Sequence, residues 1–174
     1  MLSLNIILVE IFNALYYIFP AYCANGAPVI FGGGKPIDLG RRFLDGKPLF
    51  GSHKTIRGFV AGLAIGTFVG WLQEFYAPKV GLPEGNTLLG FILSFGALIG
   101  DLLGSFLKRR LNLKPGAPLP ISDQIDFVLV ALLFSLLISP PTFMDALVII
   151  ILTGPIHFLI NIAAYLLRLK KTPW

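Results

Sequence analysis

Five long apolar runs constrain the fold of this chain more than any other feature of its sequence. They cover approximately residues 2–22, 58–77, 87–107, 121–139 and 143–168. A helix needs about 20 apolar residues to cross the hydrocarbon core of a bilayer, and each run is close to that length. Only 13% of the residues are charged, which excludes an ordinary soluble domain. We therefore predict an all-α integral membrane protein with five transmembrane helices in one domain, residues 1–174.

The distribution of basic residues predicts the orientation of these helices. Of the 14 Lys and Arg residues, six lie in residues 23–57, four in 108–120 and three near the C-terminus, whereas only Lys79 lies between the second and third runs. Cytoplasmic loops of membrane proteins carry the excess of Lys and Arg. We therefore predict a multi-pass protein of the cell membrane with its N-terminus outside and its C-terminus and two large loops in the cytoplasm.

Isolated polar residues within the apolar runs are predicted to serve helix packing. Glu10 interrupts the first run, and we expect it to face the interior of the bundle. Pro155, His157 and Asn161 in the last run predict a kinked helix with a packed polar patch. Cys23 is the single cysteine, which excludes an intramolecular disulfide and a cysteine cluster for zinc.

Glycines recur at every fourth position in the second and third runs. They are Gly58, Gly62, Gly66 and Gly70 in the second run, and Gly96, Gly100 and Gly104 in the third. Such faces let the backbones of two helices approach closely in lipid. We predict that they pack the second and third helices together within one chain. The alternative is a seam between the two copies of a homodimer.

A cluster of acids and bases surrounds the end of the third run. Asp101, Ser105, Lys108 and Arg109 share roughly a third of a helix circumference. Asp101 lies about 10 Å below the charged end of this helix, where a carboxylate costs on the order of 2.5 to 3.5 kcal/mol. Asp123 and Asp126 share one face at the start of the next run. Such acids indicate a functional site, and the alternative is an ion pair that joins two helices.

The first cytoplasmic loop, residues 26–57, is long, basic and rich in glycine. Six bases and two acids, Asp38 and Asp45, fall in this region; the bases are Lys35, Arg41, Arg42, Lys47, Lys54 and Arg57. Glycines let backbone N–H groups converge on an anion, and the bases supply the opposite charge. We predict a phosphate-binding loop, although the sequence does not match a Walker A pattern. The alternative is a loop that lies against anionic lipid headgroups.

A bound divalent cation would reconcile these two groups of charges. A polyphosphate held by the bases would be repelled by the three carboxylates unless a cation lies between them. All the candidate ligands are oxygens, which favours Mg²⁺ or Mn²⁺ over zinc. Bases beside a carboxylate, metal and phosphate site are typical of phosphoryl or nucleotidyl transfer.

Two motifs in this order resemble those of the CDP-diacylglycerol synthases, or phosphatidate cytidylyltransferases. They are Ser52-x-Lys54-Thr55-x-x-Gly58, and Ser105-x-x-Lys108-Arg109 followed by Asp123-x-x-Asp126. The short chain and its first loop resemble most closely the archaeal branch, the CDP-archaeol synthases. The resemblance runs from about Gly32 to Asp126. It departs from the bacterial pattern at Gly104, which replaces an acid, at Gln124-Ile125, which replaces an arginine, and at residues 117–122, which replace a histidine–glycine–glycine segment.

The resemblance implies transfer of CMP from CTP to an isoprenoid glycerol diether phosphate, giving CDP-archaeol and pyrophosphate with Mg²⁺. It implies that Asp101, Asp123 and Asp126 bind the metal and that Lys108 and Arg109 hold phosphates. The residues expected to bind CTP are Lys35, Lys54, Thr55, Arg57 and Ser105. The implied partners are CTP, the lipid and the membrane, with no nucleic acid. The alternatives are a diacyl lipid as substrate, a small ion or solute transporter, and a structural protein recruited by anionic lipid.

Overall fold

The regular secondary structure of the described residues is helical, apart from two isolated β-bridges. The computed structural model describes residues 2–113, 117, 119 and 122–170. Its helices are α1 (Leu2–Phe31), α2 (Ile56–Val80), α3 (Thr87–Arg110), α4 (Ser122–Ser135) and α5 (Phe143–Leu166). Within these residues, the only β-pairing consists of two isolated bridges in the loop between α1 and α2. The prediction of an all-α protein is therefore confirmed, and α1, α2, α3 and α5 are long and apolar enough to cross a membrane.

Two helices differ in length from the predicted runs. α1 continues to Phe31 although it contains Pro20 and Pro28, and membrane helices tolerate prolines where neighbouring groups replace the lost hydrogen bonds. α4 has only 14 residues, about 21 Å of helix. The predicted helix over 121–139 is therefore wrong in extent at its C-terminal end, and residue 121 lies outside the described residues. Beyond Ser135 the chain turns toward Pro140 and Pro141, and two consecutive residues without a backbone N–H group disfavour further helix in this segment.

α3 is the most buried of the four long helices, although α1 contacts more of the other helices. α3 contacts α1, α2 and α4, whereas α5 packs only against α1 and α4. The buried core is formed by apolar side chains from α1, α3, α4 and α5, among them Ile18, Leu93, Phe127 and Ile149. The outer face of α5 is apolar and exposed. This distribution is typical of a helix that faces lipid.

The glycine faces are used within the chain, as predicted, but not all in the predicted pairing. On α2, Gly66 lies against Ser94 of α3 and Pro20 of α1, and Gly70 lies against Gly90 of α3. On α3, Gly96 faces Ala131 of α4. The face formed by Gly96, Gly100 and Gly104 therefore packs on α4 rather than on α2.

The expectation for Glu10 is wrong. Residues 4–10 of α1 are all exposed, and Glu10 is among them. These first turns of α1 lie beyond the part of the helix that packs on its neighbours, so Glu10 does not face the bundle interior.

We expect Gly70→Ala to destabilise the protein by about 1–3 kcal/mol, because overpacked sites relax poorly. A methyl group on Gly70 would lie 2.7 Å from the Cα atom of Gly90, so the two backbones would have to separate. Gly26→Ala is the matched control, since no atom lies within 4 Å of its added methyl group. Thermal unfolding in detergent measures both variants. Equal unfolding temperatures for Gly70→Ala and Gly26→Ala would contradict this account of the α2–α3 contact.

Candidate functional site

Three carboxylates meet at one end of the bundle, on α3 and α4. Asp101 lies on α3, and Asp123 and Asp126 lie in the first two turns of α4. Gly100 contacts the backbone of Asp126 and Phe127, and the carboxylate of Asp126 fills the space beside Gly104. The Asp126 carboxylate lies within electrostatic range of both Asp101 and Asp123. The close contact of α3 with α4 therefore gathers acids that are 25 residues apart in sequence.

Two lysines pair with two of these carboxylates. The Nζ atom of Lys54 donates to both oxygens of Asp101, at 2.6 and 2.5 Å. The Nζ atom of Lys108 lies 2.7 Å from a carboxylate oxygen of Asp123. All four side chains keep between 14% and 30% of their surface exposed, so solvent and ligands can reach both pairs.

Asp126 differs from the other two acids. It accepts a hydrogen bond from the backbone N–H of Phe127 at 2.6 Å, and no ion pair is formed by Asp126 within the described part of the chain. The same residues contain no ready-made cluster of three metal ligands. The donor set nevertheless suits a hard divalent cation, because it consists of carboxylate oxygens, the ligands that Mg²⁺ prefers.

The loop between α1 and α2 is built around Asp38. This buried carboxylate accepts hydrogen bonds from the backbone N–H groups of Gly40, Phe50 and Gly51, at 2.9 to 3.1 Å. Burial acts to raise the pKa of Asp38, but these donors hold it below its usual value. Gly40 and Gly51 have φ values of 77° and 96°, which favour glycine. The loop is therefore held in one conformation.

Arg110, the last residue of α3, connects this loop to the end of that helix. Its guanidinium pairs with Asp45 at 2.9 Å and lies over the ring of Phe106 at 4.4 Å. The Nζ atom of Lys47 donates to the Arg110 carbonyl at 2.8 Å. The middle of the loop is thus fixed to α3, and the contacts of Asp38 join its two halves, which helps to hold Lys54 beside Asp101.

The other predicted site residues occupy different positions. Thr55 caps the N-terminus of α2 and accepts from the N–H of Gly58. The buried Ser105 hydroxyl donates to the Asp101 carbonyl at 2.9 Å. Arg109 is buried, within electrostatic range of Asp123. Lys35 and Arg57 are exposed, and no described contact joins them to the carboxylates. Lys114 and Lys171, counted among the cytoplasmic bases, lie outside the described residues.

Comparison with known proteins identifies the family. A model of the CarS-like family, CDP-archaeol synthase, matches residues 4–174. A CDP-archaeol synthase of Thermococcus gammatolerans is 46% identical over 166 residues, covering 95% of this chain and 97% of the relative. The chain belongs to the CDP-archaeol synthase family. The resemblance seen in the two sequence motifs is confirmed.

Two further relatives agree with this membership. A CDP-archaeol synthase of Methanocaldococcus jannaschii is 42% identical over 176 residues, covering 94% of this chain and 97% of the relative. A solved structure described as an intramembrane enzyme for archaeal membrane lipid biosynthesis aligns with a TM-score of 0.76 and 37% identity, covering 86% of this chain and 92% of its own. The fold of this CDP-archaeol synthase family member is thus shared with an intramembrane enzyme.

The polar patch of α5 lies beside the charged cluster of this family member. Asn161 Nδ2 donates to His157 Nδ1 at 3.2 Å, and the Nζ atom of Lys170 donates to Asn161 Oδ1 at 3.0 Å. The ring of His157 lies 5.8 Å from that of Phe127 on α4. Sequence analysis predicted the patch but did not assign Lys170 to the site. Lys170 comes after the end of α5, so helical periodicity could not place it.

We expect Asp38→Asn to destabilise this family member at pH 7 by about 1–3 kcal/mol, because an amide cannot accept all three N–H bonds. The folded-state pKa of Asp38 is lowered. The stabilisation is therefore present at neutral pH and is lost as the pH falls below about 4, the ordinary carboxyl value. Thermal unfolding between pH 3 and 7 measures the difference, which should narrow toward acid. Glu84→Gln, which changes an exposed acid, is the control. A difference that stays constant with pH would contradict this role of Asp38.

Proposed function

We propose that this protein transfers CMP from CTP to an isoprenoid glycerol diether phosphate, giving CDP-archaeol and pyrophosphate. Membership of the CDP-archaeol synthase family supports the reaction. The structural observation that carries it is the meeting of Lys54, Lys108 and three carboxylates at one end of a membrane-type bundle. Because these acids lie at one end rather than along a path across the bundle, they favour an enzyme over a transporter.

The chemistry requires little proton transfer from the protein. A phosphate monoester has a second pKa of about 6, so the lipid phosphate is already largely ionised at pH 7. One of its oxygens attacks the α-phosphorus of CTP, and the bond from that phosphorus to the β-phosphate oxygen breaks. The protein must hold two polyanions together and stabilise the charge that leaves with pyrophosphate.

The carboxylates and the lysines have different roles in this reaction. We assign Mg²⁺ or Mn²⁺ to Asp101, Asp123 and Asp126; when bound, the ion would neutralise phosphate charge. Lys54 and Lys108, which pair with two of these acids, would then turn toward the phosphates. Lys35, Thr55, Arg57 and Ser105 complete the proposed CTP side, and Arg109 supplies positive charge beside Asp123.

We propose that the N-terminus lies outside and that the site faces the cytoplasm. Thirteen of the 14 Lys and Arg residues lie on one side in this arrangement. α4 is too short to cross alone, so α4 and residues 136–142 would cross together. A hydrogen bond from the Tyr17 hydroxyl to the Ser139 carbonyl joins that segment to α1.

Incubation of the purified protein with CTP labelled at the α-phosphate, Mg²⁺ and diether lipid phosphate should give a labelled lipid. A parallel reaction with diacyl lipid phosphate tests the alternative substrate. We expect Asp126→Asn to lower turnover by roughly a hundredfold or more, since it removes charge stabilisation at the reacting phosphates. Glu10→Gln, which changes an exposed acid, should retain turnover.

Two outcomes would contradict the proposal. Failure of the wild-type protein to label either lipid would contradict the reaction. Full turnover after chelation of divalent cations, or in Asp126→Asn, would contradict the assigned metal site but not the reaction.

Labelling with a membrane-impermeant maleimide tests the orientation. Cys23→Ala removes the single cysteine, after which Leu44→Cys and Glu84→Cys each introduce one exposed thiol in opposite loops. In intact cells we expect the thiol at position 84 to react, and the thiol at position 44 to react only after permeabilisation. The reverse pattern would overturn the proposed orientation.

A further inference from the structure

Lys170 is held in place although it follows the last helix. The backbone reverses at Arg168, whose φ is 61°, and the N–H groups of Leu169 and Lys170 both donate to the Ala164 carbonyl. This turn folds the chain back on the end of α5. The Nζ atom of Lys170 then reaches Asn161, whose amide also contacts His157. The half-buried Lys170 side chain is therefore positioned by Asn161, which His157 contacts in turn.

Lys170 faces the same charges as the candidate active site. It lies within electrostatic range of Asp123, Lys54 and Lys108. His157 in turn lies within electrostatic range of Lys170, Asp123 and Asp101. Burial lowers the pKa of Lys170, and Asp123 acts to raise it. A third lysine thus approaches the cluster. It follows α5, which contacts neither α2 nor α3, whereas Lys54 comes from the loop before α2.

The position of Lys170 just after α5 distinguishes between the two phosphate substrates. α5 packs only on α1 and α4, and its outer face carries exposed apolar side chains such as Phe158 and Leu159. A lipid keeps its chains in the apolar layer and presents its phosphate at the rim of the bilayer. A lysine at the end of a lipid-facing helix can extend its charge to that rim. CTP reaches the site from water, where Lys54 and Lys35 lie on the exposed loop.

We propose that Lys170 binds the phosphate group of the lipid substrate and that Asn161 positions its ammonium group. This inference rests on the proposed function. It assigns the two polyanions to different sides of the carboxylate cluster: the nucleotide to the first loop and α2, and the lipid phosphate to the end of α5.

The test is a comparison of Lys170→Met with Arg168→Met. Both substitutions remove one positive charge from the same turn. Arg168 is exposed, whereas Lys170 is half-buried and donates to Asn161. For Lys170→Met we expect the KM for diether lipid phosphate to rise about tenfold to a hundredfold, with the KM for CTP changed less than twofold, because a charge-assisted hydrogen bond to one substrate is lost. Lys170→Arg should recover part of the loss. Arg168→Met should leave both constants unchanged.

A binding measurement separates this inference from the reaction itself. In the absence of CTP, solubilised diether lipid phosphate should bind Lys170→Met more weakly than it binds the wild-type protein. Glycerol phosphate, which has no chains, tests for binding of the phosphate group alone. A rise in the KM for CTP, a fall in kcat with both KM values unchanged, or equal lipid binding by the two proteins would overturn the role of Lys170. Failure of the wild-type protein to make the labelled lipid would instead overturn the proposed function.

Discussion

The close contact between α3 and α4 is the constraint on which the site depends. Gly100 has no Cβ atom, so the α4 backbone at Asp126 and Phe127 can lie directly against it, and Gly104 leaves room for the Asp126 carboxylate. Helices in lipid associate through packing of this kind, because lipid chains remove the hydrophobic driving force between them. A side chain at either glycine would move Asp126 away from Asp101, and the three acids would no longer share one end of the bundle.

Ion pairs with lysines then offset much of the negative charge of the three acids. Lys54 and Lys108 offset two of the three acids, and the Asp38 and Arg110 contacts hold the loop that carries Lys54. The lysines are partly exposed, so their partners can change when an anion arrives. Such preorganised but exchangeable ion pairs suit an enzyme that must accept two phosphate-bearing substrates and release pyrophosphate.

In the proposed orientation, the helices around this end would separate water from lipid. The loop carries exposed bases, and α5 carries an apolar outer face and is followed by Lys170, which donates to Asn161. Asp101 pairs with Lys54 of the loop, and Asp123 lies within electrostatic range of Lys170. In this arrangement the nucleotide could stay in water and the lipid chains could stay in the bilayer while their phosphates meet at the carboxylates. The proposed reaction requires such a meeting.

The helical class, the glycine faces, the acidic and basic residues and the family could be predicted from the sequence, because apolar run length, four-residue spacing and local motifs depend on residues that are close in the chain. The fold was needed to show that α3 uses its glycines on α4, that α4 ends at Ser135, that Glu10 is exposed and that Lys170 returns to the cluster. The same glycine face can receive any neighbouring helix, and a turn after α5 has no periodicity to follow. The contact of α3 with α4 settles the first, and the bonds of Leu169 and Lys170 to the Ala164 carbonyl settle the second.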